Sequence, residues 1–168
     1  AYRALLGTEF ADGETPVVFD WDYLNATHVK DNPAWKVVVL DGTGYGGDGT
    51  LWGGEILVGD ARAVERAAHL APARMPGGER AMHEPWRMGM ALAHRVWGAR
   101  CRTRAAEASA GRSDAEREAV CAALETGLNA PVTTGTGRLF DGIAALVGLC
   151  PVATYEAEAA MLLESAAA

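Results

Sequence analysis

Chemistry in this chain can begin at Asp41, a carboxylate that closes a short apolar run, Lys36 to Leu40 (KVVVL), and opens the segment DGTGYGGDGTLWGG. Seven of the fourteen residues from Asp41 to Gly54 are glycine. Glycine reaches positive φ at little cost and lets another group come close to the backbone. Directly after a buried strand, such a loop can turn its N–H groups into an anion nest. Asp41 beside that nest would repel a phosphate unless a divalent cation lay between them, so the pairing points to a metal-bridged nucleotide more than to bare phosphate. The Walker A pattern is absent. A dinucleotide fingerprint is absent too, because Gly44-Tyr45-Gly46 runs into Gly47-Asp48 with no helix signal behind it. The ligand spacing and closing glutamate of a calcium loop are also missing. A glycine-rich hairpin without a ligand accounts for the same residues.

The elements that would position this loop are legible around it. Lys36 to Leu40 is short, β-branched and nearly all apolar, which predicts a strand buried on both faces. Glu55 to Val58 reads as a second strand with a turn at Gly59-Asp60, while Val64 to Leu70 suits either helix or strand. Three consecutive hairpin strands are the expectation. After a break at Pro76-Gly77-Gly78, Trp86 to Trp97 reads as a helix with Met88, Leu92 and Val96 on one side and Pro85 in its first turn. Arg100 to Arg112 is basic and alanine-rich, a helix or a solvated linker. Ser113 to Glu116 is a capping box that starts a helix at Asp114, and Gly127 ends it. A polar loop, Thr133 to Gly137, leads into a helix from Arg138 to Val147 whose expected buried stripe is Leu139, Phe140, Ile143, Leu146 and Val147. A last helix is expected over Tyr155 to Glu164. Residues 1–35 are irregular and carry no periodic pattern.

Composition sets the outer limits. The 168 residues suit one domain with a sizeable core, and 49% hydrophobic with 22% charged residues excludes a disordered or collagen-like chain. A net charge of -7 argues against a nucleic-acid-tracking face. Acidity does not exclude a nucleotide held by backbone amides. No apolar run is long enough to span a bilayer and no signal-peptide pattern is present, so a cytoplasmic protein is expected. Cys101, Cys121 and Cys150 are widely spaced, odd in number and without C-x-x-C, which favours three reduced, buried thiols over disulfides or a zinc site.

The glycine segment with its continuation, DGTGYGGDGTLWGGEIL, resembles a signature of the HypF carbamoyltransferases, the nickel–iron hydrogenase maturation proteins. Ala68-His69-Leu70, PGGERA (Pro76 to Ala81) and EPWRM (Glu84 to Met88) follow in that family's order. Further on, TTGTGRLFDGIAALVGL is similar to the family's T-S-S-x-G-R-L-F-D-A-V-A-A-L-L-G-L segment, and Tyr155-Glu156 with Ala159-Ala160-Met161 match its S-Y-E-G-Q-A-A-M run. The resemblance covers roughly residues 36–164 in four ordered motifs. It implies an α/β fold, a mixed sheet with flanking helices, as one lobe of the sugar-kinase/actin-like architecture shared with the tRNA threonylcarbamoyl-transferase TsaD. Residues 36–168 would then be a partial TsaD-like carbamoyltransferase lobe, with residues 1–35 an irregular N-terminal segment ahead of it.

As activity, the resemblance implies transfer of a carbamoyl group from carbamoyl-adenylate, made from ATP and carbamoyl phosphate, to the C-terminal cysteine of a HypE-like acceptor. Residue by residue, Asp41 corresponds to a ligand of a divalent metal (Fe, Zn or Mg). Gly42, Thr43 and Gly44 correspond to the turn facing the phosphate, and Arg138 and Asp141 to the adenosine side of the cleft. Asp48 and Glu55 fall within the matched motif without an assigned role.

The chain also departs from the family. The H-x-x-x-H pair that grips the family's metal has no counterpart, since no two of His28, His69, His83 and His94 are four apart. The metal site is therefore expected to be incomplete. The family's S-G-G-V-x-x-N loop, its last metal-binding acid and its further domains are expected outside this chain. Tyr155-Glu156-Ala157-Glu158 replaces the Gly and Gln of Y-E-G-Q, adding a negative charge. These departures leave two rivals in view: a non-catalytic nucleotide- or partner-binding module, and a TobZ-like small-molecule O-carbamoyltransferase. PGGERA and EPWRM favour HypF over TobZ. A half-cleft would also expose apolar surface, so self-association is expected.

Overall fold

The computed structural model describes residues 35–39, 44–59 and 64–168. The expected three-strand hairpin is present. β1 (Trp35–Val39) pairs antiparallel with β2 (Glu55–Gly59), which pairs antiparallel with β3 (Val64–His69). The ambiguous third segment is thus a strand. The two-sided burial expected of β1 concerns side chains outside the described set. A register shift at Ile56/Leu57 marks a bulge between β2 and β3, which re-aims the residues of β3 beyond it. A second, two-stranded sheet pairs β4 (Ala73–Arg74) with β5 (Val132–Thr133), again antiparallel. The mixed character of the β structure comes from one parallel bridge, between Leu51 and Thr133.

The helical layer is built on α2 (Pro85–Trp97), which follows the short α1 (Arg80–His83). Pro85 sits in the first turn, where a missing N–H costs nothing. Every residue from Pro85 to Ala93 is buried, so this helix has no solvated face over its first nine positions. A 3-10 turn at Gly98–Arg100 and α3 (Cys101–Arg104) follow. Cys101, Ala105, Ala108 and Ser109 are buried, so the basic, alanine-rich stretch is partly core and not a solvated linker.

α4 (Asp114–Thr126) begins as its capping box requires. The Glu116 N–H donates to Ser113 Oγ at 3.3 Å, and the Ser113 N–H donates to Glu116 Oε2 at 2.9 Å. Gly127 closes the helix at φ 78°, a left-handed cap that glycine adopts without Cβ strain.

The helix after the Thr133 loop, α5 (Thr136–Leu146), corrects the expected stripe. Phe140 and Val147 are 41% and 58% exposed, while Asp141, Gly142, Ala144 and Ala145 are buried. Close packing decides this. A Cβ placed on Gly142 would lie 2.4 Å from Leu92 Cδ1, and one on Gly89 would lie 3.2 Å from the Ala145 Cβ. The two helices meet through small residues and Leu92. Of the expected stripe, Leu139, Ile143 and Leu146 stay half-buried, Leu146 against the core, and only Phe140 and Val147 are turned out. Val147 caps α5 and Gly148 (φ 78°) breaks it.

The last helix, α6, runs Glu158–Ala167, starting three residues later than expected. Ala157 takes φ 62° ahead of it, a left-handed conformation at the position where the resembled family has glycine. Glu158, the added acid, accepts from the Thr154 N–H (2.5 Å) and Oγ1 (2.9 Å), so its charge sits on the N-terminal turn, where the helix dipole favours an anion. No helix among the described residues is long and apolar enough to cross a membrane.

Candidate functional site

The glycine segment folds as a hairpin stitched to the loop that starts α5. The Trp52 N–H donates to Gly44 O (2.9 Å) and the Gly46 N–H to Thr50 O (2.9 Å), with Tyr45 opposite Leu51. Gly46 is required by approach and not by φ, since a Cβ there would fall 2.1 Å from the Trp52 indole. The returning strand is bonded across to the second motif. Leu51 N–H donates to Val132 O (2.8 Å), Thr134 N–H to Leu51 O (2.9 Å), and Thr136 N–H to Gly53 O (3.0 Å). Two motifs about eighty residues apart in sequence thereby form one surface.

A charged corner locks them together. Glu55, at the start of β2, has a side chain with no solvent exposure. Its Oε2 accepts the N–H groups of Gly53 (2.6 Å) and Gly54 (2.7 Å). Its Oε1 accepts Arg66 Nη2 (2.8 Å) and the Thr134 hydroxyl. Arg66, on β3, reaches the other way through Nη1 to Asp48 Oδ2 (2.7 Å) and lies over the Trp52 ring at 4.4 Å. Asp48 Oδ1 accepts from Thr50 N–H (3.0 Å), Thr50 Oγ1 (2.8 Å) and Trp52 Nε1 (3.0 Å).

The electrostatics follow from these donors. Burial raises the Glu55 pKa, but Thr134, Arg66 and the Gly53 and Gly54 amides outweigh it and hold the carboxyl below its ordinary value. The Thr50 N–H and hydroxyl, with Trp52 and Arg66 adding less, hold the Asp48 carboxyl down to about 2.

The amides of Gly46, Gly49, Gly53 and Gly54 are all committed within the protein, the last two to a carboxylate. Over that half of the segment, the expected open anion nest is a closed one, filled from inside. Asp41, Gly42 and Thr43, the expected metal ligand and phosphate-facing turn, lie outside the described residues. Gly44 is described and exposed, with open space around it.

Arg138 and Asp141 are brought together on α5, Arg138 Nε donating to Asp141 Oδ2 at 2.7 Å. Asp141 is buried, and burial pushes its carboxyl up despite Arg138. Arg138 borders a small cleft with Leu70, Met88, Thr134, Gly135 and Leu139, whose volume of about 10 Å³ admits about one water. Among the described residues no three His, Cys, Asp or Glu side chains converge to hold a metal, so these residues do not by themselves fit one.

Arg66, Trp52 and Thr134 are the members of the site that sequence patterning does not single out. The available signal is an arginine inside an otherwise strand-like run, which in a half-buried strand needs a carboxylate partner. The three cysteines are free and buried, as expected, with Cys101 Sγ and Cys121 Sγ 3.6 Å apart.

Residues 37–168 match the family model described as the second subdomain of the Kae1-like domain of carbamoyltransferases. Carbamoyltransferase HypF of Rhodobacter capsulatus is 44% identical over 148 residues, covering 83% of this chain and 18% of that protein. Carbamoyltransferase HypF of Rhizobium leguminosarum is 41% identical over 137 residues, covering 76% and 16%. Among solved structures, a full-length HypF crystallised in a phosphate- and nucleotide-bound form superposes with a TM-score of 0.69 at 31% identity. T. kodakarensis HypF superposes with a TM-score of 0.70 at 34% identity. Each superposition covers 81% of this chain, and 17% and 19% of the respective structures. The chain thus spans under a fifth of the length of these relatives.

Proposed function

The chain belongs to the HypF carbamoyltransferase family, and from that premise we propose that it contributes one wall of a nucleotide cleft used for carbamoyl transfer in nickel–iron hydrogenase maturation. The supporting observation is the joining of the glycine hairpin to the Thr133–Thr136 segment, which ties the hairpin and the Arg138 end of α5 into one hydrogen-bonded unit. A solved relative of this fold is described in a phosphate- and nucleotide-bound form, which supports ATP or carbamoyl-adenylate as the ligand. Gly42, Thr43 and Gly44 would face its phosphates and Arg138 its nucleoside side. Asp41 would contribute one ligand to a divalent metal whose other ligands come from elsewhere.

The group that attacks the carbamoyl carbon comes from a HypE-like acceptor's cysteine and not from this chain. Cys101, Cys121 and Cys150 are buried, and burial, with Cys121 alongside, pushes the Cys101 thiol up to about 11. A thiol so placed stays protonated and is a poor nucleophile. A cytoplasmic setting, with these thiols reduced, goes with the same reading.

Calorimetric titration of the chain with ATP, with and without Mg²⁺, tests the proposal. Binding tighter than about 1 mM, roughly 4 kcal/mol, whose metal-dependent part disappears in Asp41→Ala, is the expected result. An absence of heat under every condition would leave the second reading, a partner-docking module. That reading has its own observation: Phe140, Val147, Val152, Tyr155 and Met161 are all exposed on and around α5 and α6.

A further inference from the structure

Glu55 is surrounded by donors drawn from three parts of the fold. Two consecutive backbone N–H groups come from the hairpin (Gly53, Gly54), a guanidinium from β3 (Arg66), and a hydroxyl from the loop before α5 (Thr134). Paired amides, a hydroxyl and a guanidinium are the donor set that binds a free carboxylate or phosphate. Here the chain fills that set with its own side chain, and the carboxylate is fully desolvated.

Two observations indicate that the donor set would survive without Glu55. Arg66 keeps its Nη1 bond to Asp48, its stacking on Trp52 and a 3.0 Å bond from Nη2 to Thr134 Oγ1. The backbones also meet closely at this point. A Cβ on Gly54 would lie 2.3 Å from Thr134 O, so nothing larger than glycine fits between the two segments.

We propose that Glu55 is a positioning residue occupying a latent oxyanion site, and that its carboxylate, added to the backbone bonds between them, couples the opening of the hairpin (44–54) to that of the 132–136 segment. A small carboxylate from solution takes the same site when the Glu55 side chain is shortened. The coupling does not depend on the carbamoyltransferase reading, although its consequence for a nucleotide held by both segments does rest on that reading.

Hydrogen exchange of the whole chain tests this through the amides that cross between segments, Leu51, Thr134 and Thr136. In Glu55→Ala, protection at all three is expected to fall together by about tenfold or more, while amides within α4, which bond along their own helix, keep theirs. Sodium formate at about 0.1 M is expected to restore all three, and chloride at equal ionic strength to restore none. Independent loss at only one segment, equal behaviour of formate and chloride, or loss in α4 as well would each overturn the proposal.

If Glu55→Ala does not fold, Glu55→Gln keeps the shape and removes the charge. Its amide NH₂ must then face a donor, so partial loss at both segments is expected, and unchanged protection would overturn the need for an anion. A chain that binds no ATP yet shows the formate rescue would sink the carbamoyl reading and leave this inference standing.

Discussion

Two contacts in this fold work by opposite means. The corner at Glu55, Arg66 and Thr134 joins strands to a loop through charge and directed hydrogen bonds, with a buried carboxylate at its centre. The crossing of α2 and α5 joins two helices through the absence of side chains, at Gly89, Gly142 and Ala145. In the first, specificity comes from satisfying donors, so a missing partner leaves an uncompensated charge. In the second it comes from excluded volume, so an added methyl is the damaging change. The corner should therefore respond to deletion and pH, and the crossing to insertion only.

The largest expected effect is Arg66→Ala. Removing one partner of a desolvated pair leaves the Glu55 carboxylate with neutral donors only, and a loss of about 3–5 kcal/mol in urea unfolding is expected. A loss under about 1 kcal/mol would place the pair with solvent-screened surface bridges and erase the difference between corner and crossing.

Next comes Gly142→Ala. The new Cβ would lie 2.4 Å from Leu92 Cδ1 and 3.1 Å from the Met88 carbonyl carbon, which cannot move without the helix. Overpacking costs about 1–3 kcal/mol, and alanine's helix propensity offsets about 1 of it, so a net loss of up to about 2 kcal/mol is expected. Gly89→Ala, whose nearest neighbours are Ala108 Cβ at 3.0 Å and Ala145 Cβ at 3.2 Å, should lose less. Both losses should be the same at low and high salt, and a salt-dependent loss would show that charge reaches this contact after all.

Asp48→Asn should have the smallest effect at neutral pH, because that carboxylate is solvent-exposed. Its signature is the pH dependence. The Asp48 carboxyl is lowered from 3.8 to about 2, so its contribution is complete above 3.8 and is lost as pH falls towards 2. Urea midpoints of the two proteins should differ at pH 7 and converge across that window. Curves that stay parallel to pH 2 would mean that the ionised Asp48 carboxylate is not what its donors, Thr50 first and Arg66 last, hold in the fold.

Legibility in the sequence differs by element. The capping box and Gly127 can be read from five residues, because an N-cap and a left-handed C-cap are satisfied within one turn of chain. The first two hairpin strands follow from short apolar runs and turn residues, while the third suits helix or strand until its pairing with β2 decides. Periodicity misplaces Phe140 and Val147 on the α5 stripe, because the neighbouring α2 presents Gly89 and demands small residues at the closest approach. The site is half legible. The glycine segment and the Arg138 loop stand out, but Arg66 lies 18 residues from Asp48 and 11 from Glu55, joined across a bulge that no local pattern announces.

By itself, then, the sequence determined the elements whose energetics are local, the caps, turns and strand pairings, and also the family, through motifs kept in order. Only the tertiary structure decided what the glycines are for. Gly53 and Gly54 turn their amides to Glu55, Gly46 makes room for Trp52, and Gly142 makes room for Leu92. A glycine has no side chain to declare its neighbour, so its role is written in whichever residue the fold brings against it.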